Sequence, residues 1–223
     1  MTRFAVLLLA ASAALPGIAH AQDDSDRGIY AVARAGMSIE PQLKLDESDQ
    51  PAGSTFDDKT KFKSGFNGEI GGGYDFGIFR IEQTLGYSSS GVKTDDLVGD
   101  GLAGDGRLRS FNMNLSGYVD LPVGRMFVPY LGGGVGVSRV EARLARTAAD
   151  GGSSSFDGKD WGMTWHLDAG VGVRVAPKTT VEIGGRYAQT QSLKFVGEVD
   201  GAAATFEPTQ RALTGTIGIR QRF

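Results

Sequence analysis

The stretch Trp161–Val175 reads WGMTWHLDAGVGVRV. Every second residue from Trp161 gives Trp161, Met163, Trp165, Leu167, Ala169, Val171, Val173 and Val175. The residues between them are Gly162, Thr164, His166, Asp168, Gly170, Gly172 and Arg174. A period of two sends successive side chains to opposite faces of a β-strand. One face here is wholly apolar, and the other is small, polar or charged. The run is also long: soluble strands average about five or six residues, whereas a tilted strand crosses a bilayer in roughly 9–11.

The same alternation recurs in seven other segments, 28–39, 65–76, 79–88, 110–121, 127–138, 179–189 and 211–223. Their apolar faces carry, among others, Ile29, Ala33, Met37, Ile70, Tyr74, Ile81, Leu85, Met113, Leu115, Leu131, Val135, Val181, Ile183, Ile217 and Ile219. The opposite faces hold Arg34, Glu69, Asp75, Arg80, Glu82, Asp120, His166, Asp168, Arg174, Glu182, Arg186, Arg220 and Arg222 with several asparagines. Parity alone does not say which face is inside. Connection lengths do: Gly77-Ile78, Pro122–Met126 and Ala176–Lys178 are short, while 40–64, 89–109, 139–160 and 190–210 are long. Short turns at one end and long loops at the other describe a membrane barrel. Aromatics sit at both ends, with Phe76, Phe79, Phe127 and Phe223 beside the short turns and Trp161 and Tyr187 toward the long loops; they are read as interfacial girdles. The expectation is an all-β fold, a closed eight-stranded antiparallel up-and-down transmembrane β-barrel whose last strand pairs with its first, because lipid cannot satisfy an open edge.

Composition agrees. The 223 residues include 34 glycines and no cysteine, with a formal net charge of −3. Disulfides and cysteine-based metal sites are excluded, and the charge gives no reason to expect nucleic acid. Met1–Ala21, MTRFAVLLLAASAALPGIAHA, has a basic start, an apolar run and a small-x-small end. It reads as a signal peptide, leaving 22–223 as the barrel domain.

Two stretches carry a resemblance. Thr216-Ile217-Gly218-Ile219-Arg220-Gln221-Arg222-Phe223 resembles the assembly signal of outer-membrane barrels, in which Thr216, Gly218 and Phe223 hold the pattern and Gln221 departs from it. Pro129-Tyr130-Leu131-Gly132-Gly133-Gly134-Val135-Gly136-Val137, with Arg80-Ile81-Glu82, resembles the OmpA-like, OmpX-like and opacity-type surface barrels. The resemblance implies the bacterial outer membrane, insertion by the barrel assembly machinery and long loops facing outward.

Eight strands enclose a lumen that side chains can fill. The inward set Arg34, Glu69, Arg80, Glu82, Asp168, Arg174, Glu182, Arg186 and Arg220 is therefore expected to form an ionic network, since one buried charge left alone costs about 3–5 kcal/mol. No catalytic, cofactor or metal residue is assigned. After the signal peptide His166 is the sole histidine, with Asp168 two residues on and Ser110, Ser116 and Ser138 on inward faces. His166 faces away from lipid and is expected to make structural hydrogen bonds. The acidic run Asp95, Asp96, Asp100 and Asp105 fits no EF-hand spacing and is expected to be a solvated loop. The reading is a monomeric, non-enzymatic barrel with a structural or adhesin-like role through four loops. Its expected partners are outer-membrane lipid, lipopolysaccharide and something outside the cell. The alternatives are a narrow pore and a lipid-modifying enzyme. Arg107, Arg109, Arg139, Arg143 and Arg211 at the loop bases are candidates for lipopolysaccharide phosphates.

Overall fold

A computed structural model describes residues 27–45, 59–91, 103–121, 126–147 and 152–223, together with Ala52, Ser54 and Val123. The expected signal peptide, the middle of loop 40–64 (46–51, 53 and 55–58) and the acidic run through Asp100 lie outside the described residues. All eleven elements are strands: β1 Gly28–Lys44, β2 Lys59–Lys61, β3 Gly65–Asp75, β4 Phe79–Gly91, β5 Ala103–Asp120, β6 Phe127–Thr147, β7 Ser153–Ala176, β8 Thr179–Gln191, β9 Phe195–Val199, β10 Ala202–Phe206 and β11 Thr209–Arg222. Eight of them close antiparallel in the order β1-β3-β4-β5-β6-β7-β8-β11 and back to β1. Closure runs from Tyr30 opposite Arg222 to Lys44 opposite Thr209, with a register shift between Ile39 and Gln42. No edge of the barrel wall is left to lipid.

The two faces separate at the middle of the wall. Ile70, Leu131 and Met163 are more than 60% exposed on the outside, whereas Arg80 and Glu82 are fully buried inside. A surface of this kind suits hydrocarbon. The turns at one end are tight. Asp75 accepts the Gly77 N–H at 2.8 Å, Phe76 N–H bonds the Phe79 carbonyl at 2.8 Å, and Gly77 has φ +105°.

The other end corrects the sequence reading. Much of 89–109, 139–160 and 190–210 is not loop: β5 starts at Ala103, β6 runs on to Thr147, β7 begins at Ser153, and β9 and β10 form a hairpin within 190–210. The reason lies in inverted chemistry along unbroken strands. On β6 the inward row changes from Gly132, Gly134, Gly136 and Ser138 to Val140, Ala142 and Leu144. The outward row changes from Leu131, Val135 and Val137 to Arg139, Glu141 and Arg143. Above the membrane the barrel therefore has an ordinary apolar core. Leu43, Leu45, Phe62, Leu108, Val140, Ala142, Leu144, Phe156, Leu193, Phe195, Val199 and Phe206 are buried together there. Phe156 stacks on Phe195 with centroids 5.4 Å apart, and β9 pairs with β7 from Ser154 to Phe156.

Candidate functional site

Inside the wall the inward residues form three layers. The lowest is ionic. Arg34 reaches from β1 to three carboxylates: its Nη1 lies 2.8 Å from Glu69 and 2.6 Å from Glu82, and its Nη2 2.9 Å from Glu182. Arg80 donates through Nε to Asp120 at 3.0 Å and through Nη1 to Glu82 at 3.3 Å. Arg220 donates to Asp120 at 3.0 Å and Asp75 at 3.3 Å. Arg186 holds Asp168 through Nε at 2.7 Å and also pairs with Glu69. One oxygen of Glu182, Oε1, is approached by Arg80 Nη2 at 3.4 Å and by Arg220 Nε at 3.2 Å without hydrogen-bond alignment.

The structure thus brings together Arg34, Glu69, Arg80, Glu82, Asp168, Glu182, Arg186 and Arg220. Arg174 lies at the turn end, where it lines a small recess with Asp75, Asp120, Arg220 and Arg222.

Sequence reasoning left five members out of the network. Asp75 and Asp120 hold the arginines near the turns. Tyr30 donates to Glu82 at 3.1 Å and Tyr118 to Asp168 at 2.8 Å. The Arg80 guanidinium lies 4.1 Å from the Tyr118 ring centroid and 5.2 Å from that of Tyr130. All five lie on the inward parity of their strands, Tyr30 with Arg34 on β1 and Asp75 with Glu69 on β3, and that parity was the available signal. Glycines make room for the large groups. A Cβ on Gly132 would lie 2.2 Å from the Tyr118 ring, and one on Gly218 would lie 2.6 Å from Arg34 Cγ. Gly218 faces Arg34 in register.

The middle layer is hydroxyl and amide. Ser38 meets Thr214 at 3.2 Å, Thr164 meets Thr190 at 2.7 Å, and Ser110 donates to Gln210 at 3.2 Å. These groups surround a polar cavity of about 60 Å³ bordered below by Glu69, His166 and Arg186. The apolar core of the extension lies farther up the same inward rows.

His166 lies at the border of the two lower layers. Its Nε2 is 3.0 Å from the Ser116 Oγ, but Asp168 approaches the same nitrogen at 3.7 Å and Nδ1 has no partner. A catalytic triad needs its acid on the opposite ring nitrogen from the serine. Asp168 is instead held by Arg186 and Tyr118.

The girdle candidates Phe76, Phe79, Phe127, Trp161 and Phe223 are exposed on the outer surface, and Tyr187 is half-buried beside Trp165 with ring centroids 5.4 Å apart. Of the assembly-signal residues, Thr216 donates to the Gly184 carbonyl at 3.4 Å, and the Phe223 N–H bonds the Ile29 carbonyl at 3.1 Å.

The family model for the outer membrane protein beta-barrel domain matches residues 4–214. The chain belongs to that family. It is accordingly a bacterial outer-membrane protein of the kind that OmpA-like and OmpX-like barrels exemplify. Among solved structures it is similar to Neisserial surface protein A, at 18% identity and TM-score 0.51 over 88% of this chain and 97% of that one. It is also similar to the outer membrane protein OprG from Pseudomonas aeruginosa, at 16% identity and TM-score 0.48 over 88% and 97%. A third is Ail, the attachment invasion locus protein of Yersinia pestis, at 14% identity and TM-score 0.39 over 85% and 98%. No curated protein sequence matches.

Proposed function

We propose that this outer-membrane barrel is a monomeric, non-enzymatic surface-interaction protein, adhesin-like in mode, which the barrel assembly machinery inserts. It holds a rigid platform outside the cell above a closed lumen. The observation that carries the reading is an apolar core standing above an ionic layer, with the hydroxyl layer between them. The first gives the extension the packing of a folded domain; the second fills the only route through the wall among the described residues. A wall whose lipid-level backbone is paired within one chain supports the monomer.

The test has two parts. In planar bilayers the protein is expected to give no stable conductance steps. Cells displaying it are expected to lose binding to host-cell or matrix surfaces when the Lys194–Glu207 segment is replaced by a short Gly-Ser linker. Conductance in the native protein, or adhesion unaffected by the replacement, would overturn the reading. A second reading, a narrow ion path, draws on the polar cavity. It requires the Arg34–Glu82–Glu182 contacts to part, and the same conductance measurement decides it. Lipid turnover abolished by His166→Ala would establish the enzymatic alternative.

A further inference from the structure

The inward row that runs through His166 is thin. In register it passes Ser116 on β5, Gly134 on β6, His166 on β7, Ala188 on β8 and Ala212 on β11, so glycine and alanine supply most of it. The space they leave is the polar cavity of about 60 Å³, which Asn114, His166, Ala188 and Ala212 help to line. Two of these side chains lie close against the glycines of β6. A Cβ on Gly134 would stand 2.8 Å from His166 Cε1, and one on Gly136 would overlap Asn114 Oδ1.

His166 is 2% exposed and Asn114 5%. Each carries one buried atom, His166 Nδ1 and Asn114 Oδ1, that has no hydrogen-bond partner among the described residues. Leaving such an atom unmet is costly, and native interiors satisfy it with protein or with ordered water. The chemistry of the missing partner follows from the other ring nitrogen. Ser116 Oγ lies 3.0 Å from His166 Nε2, and Asp168 Oδ2 approaches the same nitrogen at 3.7 Å. A carboxylate on that side favours the tautomer with its proton on Nε2, which Ser116 Oγ then accepts. Nδ1 is left as an acceptor, as Asn114 Oδ1 is. The occupant of the cavity must therefore donate twice.

We propose that the cavity is a hydration site, in which a cluster of about four water molecules donates to His166 Nδ1 and Asn114 Oδ1 and joins the hydroxyl layer to the ionic one. Volume sets the number, since one buried water needs roughly 10–15 Å³ of such space. Charge excludes the rivals. An anion donates nothing and would face two acceptors. A cation would find no carboxylate to spare, because Glu69 already takes Arg34 and Arg186, and Asp168 takes Arg186 and Tyr118. Its charge would be buried without compensation. Water donates twice and accepts as well. The hydroxyls of Thr190 and Thr214, which also line the cavity, can give or take a hydrogen bond as the cluster requires.

The experiment uses the folded protein in detergent micelles, with isotope-labelled histidine for NMR, and crystals of the same preparation. The ring signals of His166, assigned by their loss in His166→Gln, are expected to show a proton on Nε2, a bare Nδ1 and magnetisation transfer from water. The crystals are expected to show water density within hydrogen-bond distance of His166 Nδ1 and Asn114 Oδ1. Ala212→Leu fills the cavity and is expected to abolish the transfer. Ala188→Val, a smaller filling, is expected to weaken it and serves where Ala212→Leu does not fold. Asn114→Leu removes one acceptor at similar volume and is expected to lose the water there while His166 keeps its own. A proton on Nδ1, no transfer in the native protein, a dry cavity in the crystal, or transfer that survives Ala212→Leu would overturn the proposal. So would ring signals that move with ammonium chloride and not with sodium chloride, which would mark a cation site. Heat-modifiable gel mobility, read on every variant, separates lost water from lost folding.

Discussion

At the scale of single residues, the lumen pairs bulk with absence. Tyr118 lies across Gly132, Arg34 across Gly218, and the Tyr130 hydroxyl lies 2.3 Å from where a Cβ on Gly184 would stand. The high glycine content therefore reflects the space that inward arginines and tyrosines occupy, and less the mobility of loops. Gly132→Val is expected to displace Tyr118 and destabilise the barrel by about 1–3 kcal/mol, read as a lower urea midpoint in gel-shift unfolding. Arg80→Ala leaves Glu82 and Asp120 short of a partner and is expected to cost about 3–5 kcal/mol in the same assay. Replacing Arg80 by Lys restores a charge but not the fork, and recovers only part of the loss. Parity put Arg34, Glu82 and Glu182 on one face, and the alternating connection lengths made that face the inner one, from sequence alone. It could have placed Tyr30, Tyr118 and Tyr130 equally well. A tyrosine, however, suits a girdle or a lumen, and its hydroxyl partners lie on other strands at separations such as the 52 residues between Tyr30 and Glu82.

At the scale of an element, β6 shows why the upper half of the fold was harder to read. Its residues keep one alternation from Phe127 to Leu144 while the solvents on the two sides exchange roles. Below Ser138 the outside is lipid and the inside polar; above it the outside is water and the inside apolar. A search for apolar outward rows stops at Val137, and Arg139, Glu141 and Arg143 then look like a loop. The lower wall was legible because every strand repeats one rule there. Phe156→Ala on β7 tests the distinction. It removes a ring packed against Phe195 and Phe206 and is expected to loosen the extension by about 3–5 kcal/mol. The membrane wall should survive: heat-modifiable mobility is expected to persist while the extension becomes sensitive to protease.

At the scale of the whole molecule, the strands are unequal in a consistent way. β5, β6 and β7 have 18, 21 and 24 residues, against 11 and 13 for β3 and β4 and 13 for β8. The platform is tall over one arc of the barrel, and the hairpin of β9 and β10 leans on that arc through β7. Limited trypsin digestion of the protein in vesicles is expected to cut after the exposed Lys194 before any lipid-level strand. The surviving fragment should retain the ionic layer and with it the gel-mobility shift. Rapid cleavage within β3 or β4 would contradict this order of stability.

The turn at Asp200 and Gly201 crowns the tallest side. Both residues have positive φ, Asp200 clasps the Ser153 N–H at 2.8 Å, and the space around Gly201 is empty. A foreign peptide spliced between these two positions would ride on a stiff mast, held high on β7 by its pairing with β9. That makes this bend a natural place for carrying an antigen or an affinity tag on living bacteria.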